Sequence, residues 1–130
     1  MAFNHPVKYL LWYMGHAADT VTVTGANGVD SAQDIYLTNA KLQLNGHDRF
    51  RQRSGSYFRI VQPYQHHTGG HGNNKIQCYS FALKPEEHQP SGTYNFSRID
   101  NARLQSSAAC AALYVYAINY NVLRVMSGMG

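Results

Sequence analysis

The sequence predicts an all-β protein, a β-sandwich with one short helix. Three observations carry that prediction. Apolar and polar residues alternate in many short runs, and Gly, Asn and Pro break those runs. Two runs, Val7 to Met14 and Leu113 to Met126, are apolar on both faces, as strands are when both sides of a sheet are covered. Charged residues are only 14% of the chain, and ten tyrosines dominate its aromatics. At 130 residues the chain reads as a single domain, residues 1–130. A chain of that length buries about two thirds of its unfolded surface, enough for a core.

Taken in order, Val7 to Met14 reads as the first strand. Val7, Tyr9, Leu11 and Tyr13 line one side; Leu10, Trp12 and Met14 line the other. Thr20 to Thr24 is a short alternating run, broken by the loop Gly25-Ala26-Asn27-Gly28. Ala40 to Asn45 alternates cleanly, with Leu42 and Leu44 inward and Lys41 and Gln43 outward, and Asn45-Gly46 turns the chain. Ser54 to Gln62 is the helix candidate. Ser54 or Ser56 stands at the cap position, and Tyr57, Phe58, Ile60 and Val61 form an apolar patch. Pro63 is expected to end or kink it. Gly69 to Asn74 reads as a loop.

Ile76 to Lys84 alternates again. Tyr79, Phe81 and Leu83 point one way; Ile76, Cys78, Ser80 and Ala82 point the other. Pro85 stops this strand, Pro90-Ser91-Gly92 turns the chain, and a second extended run starts at Thr93. Tyr94 and Phe96 share a face. Ile99 falls out of phase, while Ala102 and Leu104 return to it, so a bulge or bend is expected near Ser97 to Asp100. In the last run Leu113, Val115, Ala117, Leu123 and Val125 share one face, and Tyr114, Tyr116, Ile118, Tyr120 and Val122 the other. The total is five or six strands and one short helix, with no internal repeat. Phe81, Phe96, Val115 and Ala117 are expected in the core.

The segment KPEEHQPSGTYNFSRIDNA, Lys84 to Ala102, closely resembles the signature of the major capsid proteins of nucleocytoplasmic large DNA viruses, of the iridovirus and phycodnavirus type. NGHDRFRQRSGSYFRIVQPYQHHT, YVYAINYNVLRVMSGMG and the opening FNHPVKYLLW resemble the same family, so the likeness runs nearly end to end, weakest over Gly15 to Thr38. The resemblance implies a jelly-roll β-sandwich: the C-terminal part of the second jelly roll of a double jelly-roll protein. It also implies trimeric capsomers tiling an icosahedral shell, in which function resides in surfaces. The partners would be copies of the chain, full-length capsid protein and other capsid proteins. The place would be the virion capsid, assembled in the host cell cytoplasm.

Other classes find less support. The formal net charge is +4, but the densest basic group is only Arg49, Arg51 and Arg53, with Arg59 nearby. No run of five or more like charges occurs, so the charge reads as a solvated surface rather than a specific nucleic-acid face. No apolar run reaches the roughly 18 residues of a membrane helix, and Met1 to Met14 is a poor signal peptide, so a cytosolic product without membrane insertion is expected. Cys78 and Cys110 make no disulfide framework; Cys78 reads as a buried free thiol.

No residue is assigned a catalytic, cofactor-binding or metal-binding role. His67 and His71 have the i, i+4 spacing of a helical zinc pair, and His66 adjoins them, but Gly69 and Gly70 between them oppose a helix. Glu86, Glu87 and His88 are neighbours in a turn, which rarely converge on one substrate atom. Ser127 lacks the GxSxG elbow, no Walker loop or GxGxxG occurs, and Asn95-Phe96-Ser97 is a glycosylation sequon expected to stay unused. The sequence therefore favours a structural capsid protein without enzymatic activity. The alternatives are a stand-alone sandwich binding glycan or protein through its tyrosines and, behind it, a metal-dependent hydrolase using the histidines.

Overall fold

The computed structural model describes residues 1–15, 37–68, 76–107 and 112–128. The alternating run at Thr20 to Thr24 lies outside them. Two small antiparallel sheets face each other across one hydrophobic core. The first is built on β1 (Pro6–Gly15) and the second on β2 (Asn39–Leu44).

β2 alternates as its sequence demands: Ala40, Leu42 and Leu44 are buried, and the residues between are not. Asn45 (φ 51°) and Gly46 (φ 80°) then form the two-residue turn with positive φ that matches hairpin twist. The turn leads into β3 (His47–Asp48), which pairs back on β2. β4 (Arg53–Ser54) continues along β2, with Arg49 N–H donating to Leu42 O and Gly55 N–H to Thr38 O between and beyond the ladders.

The helix departs from expectation. It does not end at Pro63. A π-wound turn, Tyr57–Val61, passes into α1, Gln62–His66. Gln62 N–H donates to Tyr57 O, five residues back, and Pro63 falls in the first α turn, where its missing N–H is tolerated. Ser56 occupies the cap position without a side-chain cap bond. The wide π turn also rotates the apolar patch: Phe58 is fully buried, while Ile60 and Val61 face outward.

β5 (Gln77–Ser80) and β6 (Tyr94–Asn95) follow each other along β1, joined by Phe81 N–H to Lys8 O. The predicted strand to Lys84 therefore stops at Ser80. There the Ser80 hydroxyl turns onto Ala82, donating to its carbonyl and accepting from its N–H. The first part of the capsid-like signature, Lys84 to Thr93, thus lies in a loop leaving the sheet after β5 and returning to the same neighbour as β6. The bend expected near Ser97 is a 3-10 turn, Phe96–Arg98, capped by Asn95 Oδ1 accepting from Ser97 N–H. It swings the chain from the first sheet to the second, where β7 (Ala102–Gln105) pairs with β2. β8 (Ala112–Asn119) returns to β1 and pairs along nearly its whole length.

Two assignments of phase are corrected. A register shift between Val7 and Tyr9 puts Val7 in the core with Leu10 and Trp12, not with Tyr9, Leu11 and Tyr13. The last strand stops at Asn119 rather than Met126; residues 121–128 are exposed. Of the four expected core residues, Phe96 is buried, while Phe81, Val115 and Ala117 are half-buried and pack against the core from its edge.

The centre of the sandwich is a polar knot that alternation could not reveal. Gln77 is fully buried, and its amide uses its full capacity. Oε1 accepts from Trp12 Nε1 (2.9 Å) and Leu37 N–H (3.1 Å). Nε2 donates to Leu37 O (2.9 Å) and Gly55 O (3.0 Å). One side chain so ties β1, the approach to β2 and the start of the helix. Gly55 lies so close that an added Cβ would sit 1.9 Å from Leu37 O. Around the knot Phe58 packs on Trp12 (5.3 Å) and Phe50 (5.5 Å).

Candidate assembly surface

The chemistry-bearing residues singled out in the sequence fall into two groups. One is a joint between the signature loop and the end of α1. Glu86 accepts from Thr68 N–H (3.0 Å) and Thr68 Oγ1 (2.6 Å) and lies 3.4 Å from His67 Nδ1. His66 Nδ1 meets Leu83 O at 3.0 Å, and the Tyr9 ring packs edge-on against His67 at 4.8 Å. The hydrogen bonds from Thr68 hold the Glu86 carboxyl below its ordinary range. Burial pushes the His67 imidazole below its ordinary range, against the opposing pull of Glu86. The joint fastens the loop to the end of the helix.

The remaining candidates do not converge. His71 and Cys110 lie outside the described residues. Glu87 makes only a long pair with Lys84 at 3.7 Å, and His88 is exposed. Ser127 is exposed in a turn, and Asn95 spends its side chain on the 3-10 turn. Cys78 is a buried free thiol, its pKa pushed up to about 12 by burial. Among the described residues no three metal-ligating side chains gather, and no helix is long and apolar enough to cross a membrane. The His67–Glu86 contact was invisible in the sequence, because only the fold brings the loop to the helix.

The second group is apolar and lies outside. On the outer face of β1 and β8, Tyr13 stacks on Tyr114 (5.1 Å) and Tyr116 (6.1 Å), with both partners about half exposed. Beyond β8, Tyr120 N–H still donates to Pro6 O. The chain then carries Val122, Leu123, Val125 and Met126 into solvent, Leu123 at 90% exposure. Among the described residues β8 pairs only with β1. Leu83, Ile60, Val61 and Tyr64 add further exposed apolar area. Two of the clefts are open grooves of about 540 and 610 Å³.

The comparisons with known proteins give the family. The family model for the large eukaryotic DNA virus major capsid protein matches residues 1–130. The major capsid protein of Pyramimonas orientalis virus is 48% identical over 98% of this chain and 36% of its own length. That of Paramecium bursaria Chlorella virus 1 is 42% identical over 98% of this chain and 40% of its own. The latter alignment spans 178 positions against 130 residues here, so that relative carries segments with no counterpart in this chain. A chain of the PBCV-1 virus capsid superposes with a TM-score of 0.76 at 40% identity, over 99% of this chain and 43% of that one. This chain thus spans well under half the length of these relatives. Its fold is the all-β jelly-roll sandwich with a short helix that the sequence predicted. The chain belongs to the family of large eukaryotic DNA virus major capsid proteins.

Proposed function

We propose that the chain is a structural component of an icosahedral viral capsid, acting through subunit packing and not through catalysis. Its partners are copies of itself or full-length capsid protein, in a trimeric capsomer, together with other capsid proteins. Its place is the virion shell, assembled in the host cytoplasm. Residues 1–130 form one domain, the C-terminal portion of a capsid jelly roll. The observation carrying this reading is the family match over the whole chain, joined to the bare apolar surface of β8 and the segment after it. Apolar area on that scale is what assembly covers. The tyrosine stack is the feature a glycan-binding module would use, but in a capsid family it falls to assembly. The test is mass spectrometry of purified virus particles with immunogold labelling of their shells. Peptides of this chain at structural abundance are expected; their absence from particles overturns the reading.

A further inference from the structure

The exposed side of β4 and the helix holds the chain's densest basic group. Arg51 and Arg53 stand on an open groove of about 610 Å³ that Tyr57, Ile60 and Val61 also line. The Arg53 guanidinium lies 4.7 Å above the Tyr57 ring. Arg51 enters no ion pair or side-chain hydrogen bond among the described residues. Among the described residues no carboxylate lines the groove, and neighbouring Asp48 is engaged by Lys41 and Gln43. A guanidinium without an acidic partner among the described residues, beside exposed apolar side chains, suits an occupant carrying a carboxylate next to an apolar group. Arg and Tyr are also the types that anchor protein interfaces.

The chain displays that combination elsewhere. On the signature loop Leu83 is 73% exposed, and Glu87 is held only by its long, solvated pair with Lys84. Glu86 is already committed to Thr68 and His67. The loop is stiff: Lys84 N–H donates to Ser91 Oγ, Leu83 O is held by His66, and Pro85 and Pro90 bracket the acids. A stiff loop loses little entropy on docking. We propose that Leu83 and Glu87 of one copy dock into the Arg51–Arg53 groove of a second copy, Leu83 on Ile60 and Val61 and Glu87 on Arg51. The two surfaces differ, so the contact is heterologous and repeats head to tail, closing into a ring where the rotation allows. The inference rests on the capsid-subunit reading and gives it a surface and a polarity.

The test is sedimentation velocity of the 130-residue protein over a concentration series, for Arg51→Glu, Glu87→Arg and the double variant. Each reversal should weaken self-association about tenfold or more, and the double variant should recover most of the loss, as a close charge pair requires. Raising salt should weaken the wild type and the double variant alike. Both positions are exposed, so unchanged melting curves will show that the fold survives. Single reversals without effect, a double variant without recovery, or a monomeric wild type each overturn the docking. So does an Arg51→Glu protein that loses affinity for a labelled oligothymidylate while self-associating normally, for the groove then serves a polyanion. The shell reading is decided separately, by whether the chain is found in particles.

Discussion

β1 and the run from Leu113 to Met126 look alike in the sequence, yet the structure treats them differently. Both are apolar on both faces. β1 has β8 along one edge and β5 then β6 along the other, and its inward side chains Val7, Leu10 and Trp12 are sealed. The later run stays paired only to Asn119; its tyrosines stand half in water and its last four large apolar side chains wholly or mostly so. The difference teaches that apolar pattern records burial without recording by whom. β1 is covered by its own chain. The later run carries the same pattern with much of it uncovered among the described residues.

The sharpest way to break the comparison is at the knot behind β1. Gly55→Ala puts a methyl 1.9 Å from a backbone carbonyl and 2.8 Å from Gln77 Nε2, and backbone cannot yield cheaply there. The expected outcome is loss of cooperative unfolding by circular dichroism; a normal melt would show that the helix start can move. Gln77→Leu keeps the volume and leaves Trp12 Nε1, Leu37 N–H and two carbonyls unpartnered in the core. Buried unsatisfied groups cost about 1–3 kcal/mol each, so destabilisation of at least about 3 kcal/mol in urea is expected. A smaller loss would mean water reaches the site. Phe96→Ala, at a buried ring, should cost about 3–5 kcal/mol. Phe81→Ala, at a half-buried one, should cost clearly less; equal losses would refute the edge position of Phe81.

What was legible follows the same division. The β2 alternation, the Asn45-Gly46 turn and the bend before β7 are local, set by period and turn chemistry, and they were readable. The π turn was not, because Tyr57 to Val61 fits an α pattern equally well and nothing local marks Phe58 as the one side chain of the turn to be buried. The bulge after Val7 was hidden because every residue around it is apolar except Lys8. Gln77 looked like an ordinary strand residue; nothing local says that three separate segments share its amide. Of the surface, the family motifs identified a capsid chain, while the Glu86–His67 joint needed the loop and helix brought together in space.

A smaller effect separates the joint from the knot. The folded-state pKa of His67 is depressed, chiefly by burial. With its proton on Nδ1 facing Glu86, its Nε2 is buried without a partner, so charging would add an N–H with nothing to receive it. Glu86 is depressed by the bonds from Thr68. Both shifts have the same sign for stability. The His67 contribution is full above its unfolded value near 6.5 and is lost as pH falls through the folded value; that of Glu86 is lost below about 4.5. The melting temperature should therefore fall in two stages on acidification. His67→Phe should remove the upper stage and Glu86→Gln the lower. A wild-type curve flat from neutrality down to about pH 5 would contradict the burial cost assigned to His67.

The smallest expected stability effect gives the comparison its most direct test. Val122, Leu123 and Val125 are exposed, beyond the last strand pairing, and belong to no core contact. Surface changes away from caps, cores and networks usually stay within about 0.5 kcal/mol. Val122→Ser, Leu123→Ser and Val125→Ser together should therefore leave the melting curve unmoved, although the same three changes in β1 would unfold the protein. Solution behaviour should change instead. Light scattering of the wild type should show association driven by apolar contact, and the triple variant should shift towards monomer. Apolar association is indifferent to moderate salt, whereas the Arg51–Glu87 contact is screened by it, so the two contributions separate in a salt series. A triple variant that melts early would place these side chains in the chain's own core. One that scatters as the wild type does would leave them without an assembly role, and either result would end the contrast with β1.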